Sequence, residues 1–357
     1  MKYYDWQKLF SYQTGNNGEI AFIVGARGIG KTYGLRKQCI KDFIKTGAQF
    51  IEIVRTNSEL EGANSVITNY FSKLESNNEF PNYQFMTKGK IGYIAEVSDK
   101  PEWKPLVYFV ALSTFQNIKK RTFANIKRII FDEVVIDKRA KYSRYLPAEY
   151  TILTDMIDTI TRENATQKAK FKPRLYLLAN ACDFGSCPYF QALEIFNIPD
   201  EFGYYWHKSK SVIFHYVEPE NAEERLTNTL VGRMLNGYEE AETSFNNVFG
   251  NADTAYIEKK SSKAKYMYGI AYKKVRFGIW LDYGSGKIYI NRTIPNNSEK
   301  TIYSLSTSDN KIDYIIARKS ELQLKQLIDM FYLGAIFYDS IATREMFLQV
   351  LALFGIR

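Results

Sequence analysis

The most specific chemistry in the chain lies in eight consecutive residues, Gly25-Ala26-Arg27-Gly28-Ile29-Gly30-Lys31-Thr32. They match G-x-x-x-x-G-K-[ST] at every fixed position, the pattern of a phosphate-binding loop. The glycines allow backbone conformations closed to other residues, so that successive N–H groups converge on a phosphate at the N-terminus of the following helix. Lys31 is expected to reach the β- and γ-phosphates and the Thr32 hydroxyl to coordinate Mg²⁺, which makes ATP with Mg²⁺ the implied ligand. No G-x-G-x-x-G can be drawn through these glycines, and a dinucleotide loop is thereby excluded.

A hydrolase with such a loop also needs carboxylates at a neighbouring strand end. Ile129-Ile130-Phe131-Asp132-Glu133 supplies them: Asp132 for the Mg²⁺ shell and Glu133 as the general base that polarises water. A glutamate directly after the aspartate points to the additional-strand ATPases. Tyr176-Leu177-Leu178-Ala179-Asn180 reads as a further strand, ending in an amide that orients water against the γ-phosphate. Arg162, after a helix over Tyr150 to Thr161, is a candidate for a finger that stabilises a neighbouring subunit's transition state in trans. An alternative function is a P-loop nucleotide switch or nucleic-acid-binding scaffold with slow hydrolysis, which needs no general base.

Several elements must position these groups. Ile20 to Val24, the glycine loop, a helical pattern from Lys31 to Ile44 and the apolar run Phe50 to Val54 form a βαβ unit and hence the start of a parallel sheet. Leu106 to Leu112, Arg128 to Phe131 and Arg174 to Leu178 are compact apolar runs of the kind buried on both faces of such a sheet. The fold class is therefore α/β, a P-loop domain of three layers over residues 1–207. An acidic helical linker is expected over 208–245, since Glu218 to Glu242 holds seven glutamates against Arg225 and Arg233. In a third segment, 246–357, three aromatic runs from Lys265 to Arg292 predict an antiparallel meander, followed by helices over Glu321 to Phe337 and Ile341 to Phe354.

The formal net charge is +9, and Lys259 to Arg292 concentrates nine basic residues against one acid, Asp282. Such a face suits a polyanion. Lys119, Lys120 and Arg121, on a loop before the Asp132 strand, are candidates for gripping DNA through its phosphates with little base readout. The three cysteines are expected to be reduced thiols, and the spacings of Cys182, Cys187, His207 and His215 fit no usual zinc pattern. The longest notable apolar run, Met330 to Tyr338, is far below the roughly 20 residues of a membrane span, and a cytoplasmic protein is expected.

GARGIGKT, FDE after an apolar strand, MIDTITR, LLANA and CPYF, in this order and spacing, resemble the genome-packaging ATPases of small protein-primed tailed phages. The resemblance covers most of the chain. It implies a ring-forming motor, a homopentamer, that docks on the portal of a prohead and drives double-stranded DNA inward, in some members with a packaging RNA between motor and portal. It implies action in the host cytoplasm, transient attachment to the prohead and absence from the mature virion. It also implies a ribonuclease H-like α+β domain at the C-terminus without nuclease chemistry, and it places Lys31, Thr32, Asp132, Glu133, Asn180 and Arg162 at functional positions. Val134-Val135-Ile136 departs from the family pattern in lacking a basic residue.

Overall fold

Runs rich in β-branched and aromatic residues alternate with helical patterns through the first 216 residues, and this alternation builds the sheet that carries the site. The computed structural model describes residues 4–62, 65–118, 123, 125–136, 144–166, 170–180, 187–193, 195, 201–219, 224, 227–235, 256–273, 275–295, 301–318 and 321–356. Contacts divide them into two units, one built on residues 4–235 and the other on 256–356.

In the first unit the chain runs through α1 (Trp6–Gly15), β1 (Ile20–Val24), α2 (Lys31–Thr46), β2 (Gln49–Val54), α3 (Ser72–Ser76), β3 (Tyr83–Lys88), β4 (Ile91–Glu96), β5 (Lys104–Ala111), β6 (Ile126–Phe131), α4 (Glu149–Thr166), β7 (Arg174–Ala179), α5 (Pro188–Ala192), β8 (Gly203–His207) and β9 (Val212–Tyr216). The strand order is β3-β4-β5-β2-β6-β7-β1-β9-β8. β5 through β9 in that order are parallel, and β3, β4 and β8 add antiparallel pairs at the two edges. One strand, β7, separates loop-bearing β1 from carboxylate-bearing β6, which is the additional-strand arrangement. Registers of Val24 with Ala179 and of Phe131 with Leu177 bring Gly25, Asp132 and Asn180 out at one edge of three adjacent strands. Ligands of open parallel sheets bind at that carboxyl edge.

Two features of this unit differ from the sequence reading. Val212–Tyr216, assigned above to an acidic linker, is a strand that pairs in parallel with β1, and its buried Val212, Ile213 and Phe214 explain why it joins the sheet. The helix predicted to end at Thr161 continues to Thr166 and so includes Arg162.

The second unit has a mixed sheet. β10 (Lys265–Tyr272), β11 (Val275–Asp282) and β12 (Lys287–Asn291) form the expected antiparallel meander. β13 (Ile302–Ser304), β14 (Tyr314–Ile316) and β15 (Ile336–Tyr338) extend it in parallel, in the order β14-β13-β10-β11-β12-β15. The helix Ile341–Leu353 packs Phe347 edge-on against Phe277, ring centres 5.2 Å apart. The helix expected from Glu321 to Phe337 stops at Tyr332: Gly334 takes a positive φ of 67°, and the chain then enters β15.

α1 braces the sheet beside the phosphate-binding loop. The buried Trp6 donates its indole N–H to the Lys31 carbonyl at 3.1 Å, and it lies so close to Gly34 that a Cβ there would stand 2.7 Å from the ring. Trp6→Ala is expected to cost the first unit about 3–5 kcal/mol in urea unfolding. Trp6→Phe, which keeps a ring in place and loses the hydrogen bond, is expected to cost about 1 kcal/mol. Equal losses in the two variants would show that ring packing is not the source.

Candidate active site

Lys31 lies at the first position of α2, and its ammonium is buried against three oxygens. Nζ donates to the carbonyls of Gly25 at 2.7 Å and Ala26 at 3.0 Å and to Asn180 Oδ1 at 3.2 Å. Such a charge is tolerated because every contact is charge-assisted. Gly30 caps the helix at φ 79°, a left-handed conformation that a side chain resists, and Gly28 shares it. Gly25 is small for another reason, since a Cβ there would meet Ile29 Cδ1 at 2.8 Å.

Thr32 Oγ1 donates to Asp132 Oδ2 at 2.5 Å, joining α2 to the end of β6. Loop residues Arg27 to Lys31 line one cavity of about 420 Å³ with Thr32, Asp132, Glu133 and Asn180, whereas Gly25 and Ala26 are not in its lining. Arg27 and Ile29 lie in its wall. Glu133 has a positive φ of 52°, unusual for a non-glycine residue, and its N–H donates to Asp132 Oδ1 at 2.9 Å. Its side chain is exposed, yet the surrounding residues partly desolvate it and raise its pKa, and the charge of Asp132 raises it further while Arg27 opposes the shift. A carboxylate raised in this way beside a phosphate site has the properties of a general base.

Arg55 was not singled out by the sequence. It follows β2, nearly eighty residues before Glu133 in the chain. Its Nε bridges both oxygens of buried Glu149 at 2.9 and 3.1 Å, and its terminal nitrogens donate to the carbonyls of Glu133 at 3.4 Å and Val134 at 3.1 Å. Glu149, the first residue of α4, also accepts from the Tyr189 hydroxyl at 2.8 Å and the Leu146 N–H at 2.7 Å. The strained backbone of Glu133 is thus tied to a buried, fully bonded carboxylate. Val134, Val135 and Ile136 are buried, which accounts for the absence of a basic residue there. Arg162 is exposed on α4, pairs with Asp158 at 2.6 Å and does not line the cavity. Lys119, Lys120 and Arg121 lie outside the described residues.

The model of the podovirus DNA encapsidation protein family matches residues 1–353. The chain belongs to that family. The DNA packaging protein of Bacillus phage phi29 is 29% identical over 345 residues, covering 96% of this chain and 95% of the relative. That of Bacillus phage B103 is 30% identical over 323 residues, covering 89% and 92%. A solved chain of the bacteriophage phi29 viral genome packaging motor assembly superposes with a TM-score of 0.71 at 26% identity, covering 99% of this chain and 100% of that one. Family membership and the P-loop geometry together make this encapsidation protein a DNA-packaging ATPase.

In this family member Arg55→Ala is expected to lower single-turnover ATP hydrolysis about a hundredfold while ATP affinity stays near that of the wild type, because it releases the Glu133 backbone and touches no ligand group. Arg55→Lys is expected to recover little, since a point charge cannot bridge Glu149 and two carbonyls at once. A parallel loss of ATP affinity would contradict this role.

Proposed function

We propose that this chain hydrolyses Mg–ATP at the Lys31–Asp132–Glu133–Asn180 site as one subunit of a homopentameric ring that drives double-stranded DNA through a portal into a prohead. The observation that carries the hydrolytic part is Glu133, set beside Asp132 at the strand end with its pKa raised, where a nucleotide switch would need no base. Lys31 neutralises phosphate charge in the ground state. Glu133 takes a proton from water as the water oxygen bonds to the γ-phosphorus and the bond to ADP breaks, and the Asn180 amide orients that water. Two hard oxygens, Thr32 Oγ1 and Asp132 Oδ2, are of the type Mg²⁺ selects, and these residues would hold the ion. When bound, Mg²⁺ supplies charge neutralisation at the phosphates.

Arg162, exposed on α4, acts on the nucleotide of an adjoining subunit. Lys119, Lys120 and Arg121 grip DNA phosphates. The basic strands of the second unit dock on packaging RNA or DNA, and this unit does not cut DNA. In support, its acids have local tasks: Glu258 pairs with Lys287 at 2.6 Å, Asp282 accepts from the Gly284 N–H at 2.9 Å and Asp309 from the Lys273 N–H at 2.8 Å. The protein works in the host cytoplasm, attaches to the prohead only during packaging and is absent from the mature virion.

Lys31→Ala is expected to abolish hydrolysis by weakening ATP binding, whereas Glu133→Gln keeps binding and loses turnover. In the wild type the acid limb of kcat/KM, which reports the free enzyme, is expected above the ordinary glutamate value of 4.5, because Glu133 protonates, and so stops accepting a proton, at a higher pH than a free side chain. Equal loss of nucleotide affinity in both variants, or an acid limb at or below that value, would contradict the assignment.

Rings mixed from Arg162→Ala and Glu133→Gln subunits are expected to regain hydrolysis where an intact Glu133 meets an intact Arg162 across an interface. Absence of recovery at every mixing ratio would leave Arg162 a structural partner of Asp158.

A further inference from the structure

The phosphate-binding motif does not account for one wall of the cavity. Tyr70, Lys73, Leu74 and Asn77, on or beside α3 in the connection between β2 and β3, line the same space as Lys31, Asp132 and Glu133. Two networks fix that wall to α2. In its floor the buried carboxylate of Glu52 on β2 binds Arg36 at 2.5 Å through one oxygen and the Tyr70 hydroxyl at 2.8 Å through the other. The Arg36 guanidinium also stacks on Tyr70, 4.2 Å from the ring centre. At the rim Tyr33 donates its hydroxyl to Glu79 and accepts from Asn77 Nδ2 at 2.9 Å, while Lys37 pairs with Glu79.

Arg36 lies one helical turn beyond Thr32, and Asp132 is among the charges that act on it. The wall therefore faces the metal-binding side of the site, where the terminal phosphates of a nucleotide lie. Lys37 and Arg36 are both held by carboxylates. Lys73 makes no ion pair among the described residues; it lines the cavity and is exposed, with its ammonium 5.5 Å over the Tyr33 ring. A lysine that lines an anion site on a flexible four-carbon stem can turn its ammonium toward a bound anion.

We infer that Lys73 is a further nucleotide-binding residue, whose ammonium meets the triphosphate from the wall facing the phosphate-binding loop. Arg36, Glu52 and Tyr70 are positioning residues that hold this wall in place. The inference rests on the ATP-site reading above and adds a second phosphate-directed cation, from outside the motif, to Lys31. It makes the site selective for nucleotides with terminal phosphates.

The test is the dissociation constant of the full-length chain for Mg–ATP and for AMP, measured by competition with a fluorescent ATP analogue. Lys73→Ala is expected to weaken ATP binding roughly tenfold and leave AMP unchanged, as for loss of a hydrogen bond to a charged group. Lys73→Arg is expected to restore most of the affinity, and the difference between wild type and Lys73→Ala is expected to shrink as salt is added. In a Tyr70→Phe background, where the wall is loosened, the effect of Lys73→Ala is expected to be smaller than in the wild type. Unchanged ATP affinity in Lys73→Ala overturns the inference and leaves the ATP-site reading intact. Equal weakening of ATP and AMP also overturns it, since the lysine would then act on the shape of the wall. Failure of the wild type to bind ATP would remove both.

Discussion

The ammonium of Lys31 is the charge around which the first unit is arranged. An amine taken out of water is stable in its charged form only where oxygens replace the lost solvation. Here those oxygens come from the Gly25 and Ala26 carbonyls and from Asn180, that is, from the turn after β1 and from the end of β7. Both strands must therefore end level with each other, and the parallel pairing of Val24 with Ala179 makes them do so. The same alignment brings β6 to the same edge, where Asp132 reaches Thr32 on the residue after the lysine. One buried cation thus links loop, helix and three strands, and a shift in any of them would leave it short of a partner.

A second buried charge controls the other side of the site. Glu149 has no route to solvent and spends its oxygens on Arg55, Tyr189 and the Leu146 N–H. Through Arg55 this carboxylate acts on the carbonyls of Glu133 and Val134 and holds Glu133, the proposed general base, in a backbone conformation that glutamate rarely adopts. The two networks divide the work. The first fixes the phosphate-binding loop and the second fixes Glu133, and they meet at the Asp132–Glu133 peptide, whose N–H is itself held by Asp132.

Most of the motor domain was legible in the sequence because its signals are local. The loop, the apolar strands and the carboxylate pair each lie within a few consecutive residues, and β1, β2, β6 and β7 form where their runs predict. Arg55 was not legible, since its meaning depends on Glu149 and Glu133, which are distant in the chain and unite only when β2 and β6 pair. Val212–Tyr216 was read as linker because acidic neighbours masked a short apolar run, and pairing with β1 decided its structure. The helix after Glu321 was read too long for a similar reason: the run Phe331 to Phe337 is apolar throughout, and only the positive φ of Gly334 separates helix from strand. The wall carrying Lys73 gave no motif at all, being assembled from single residues of α2, β2 and α3.

The central claim is that this site turns ATP hydrolysis into work on DNA, and phosphate release by the purified wild-type chain tests it most directly. With Mg–ATP saturating, phosphate release is predicted to be measurable alone and to rise when linear duplex DNA of unrelated sequences is added, with the rise suppressed by salt as phosphate contacts are screened. ATP that binds but is not hydrolysed, with or without duplex DNA, would contradict the account and identify the site as a nucleotide switch.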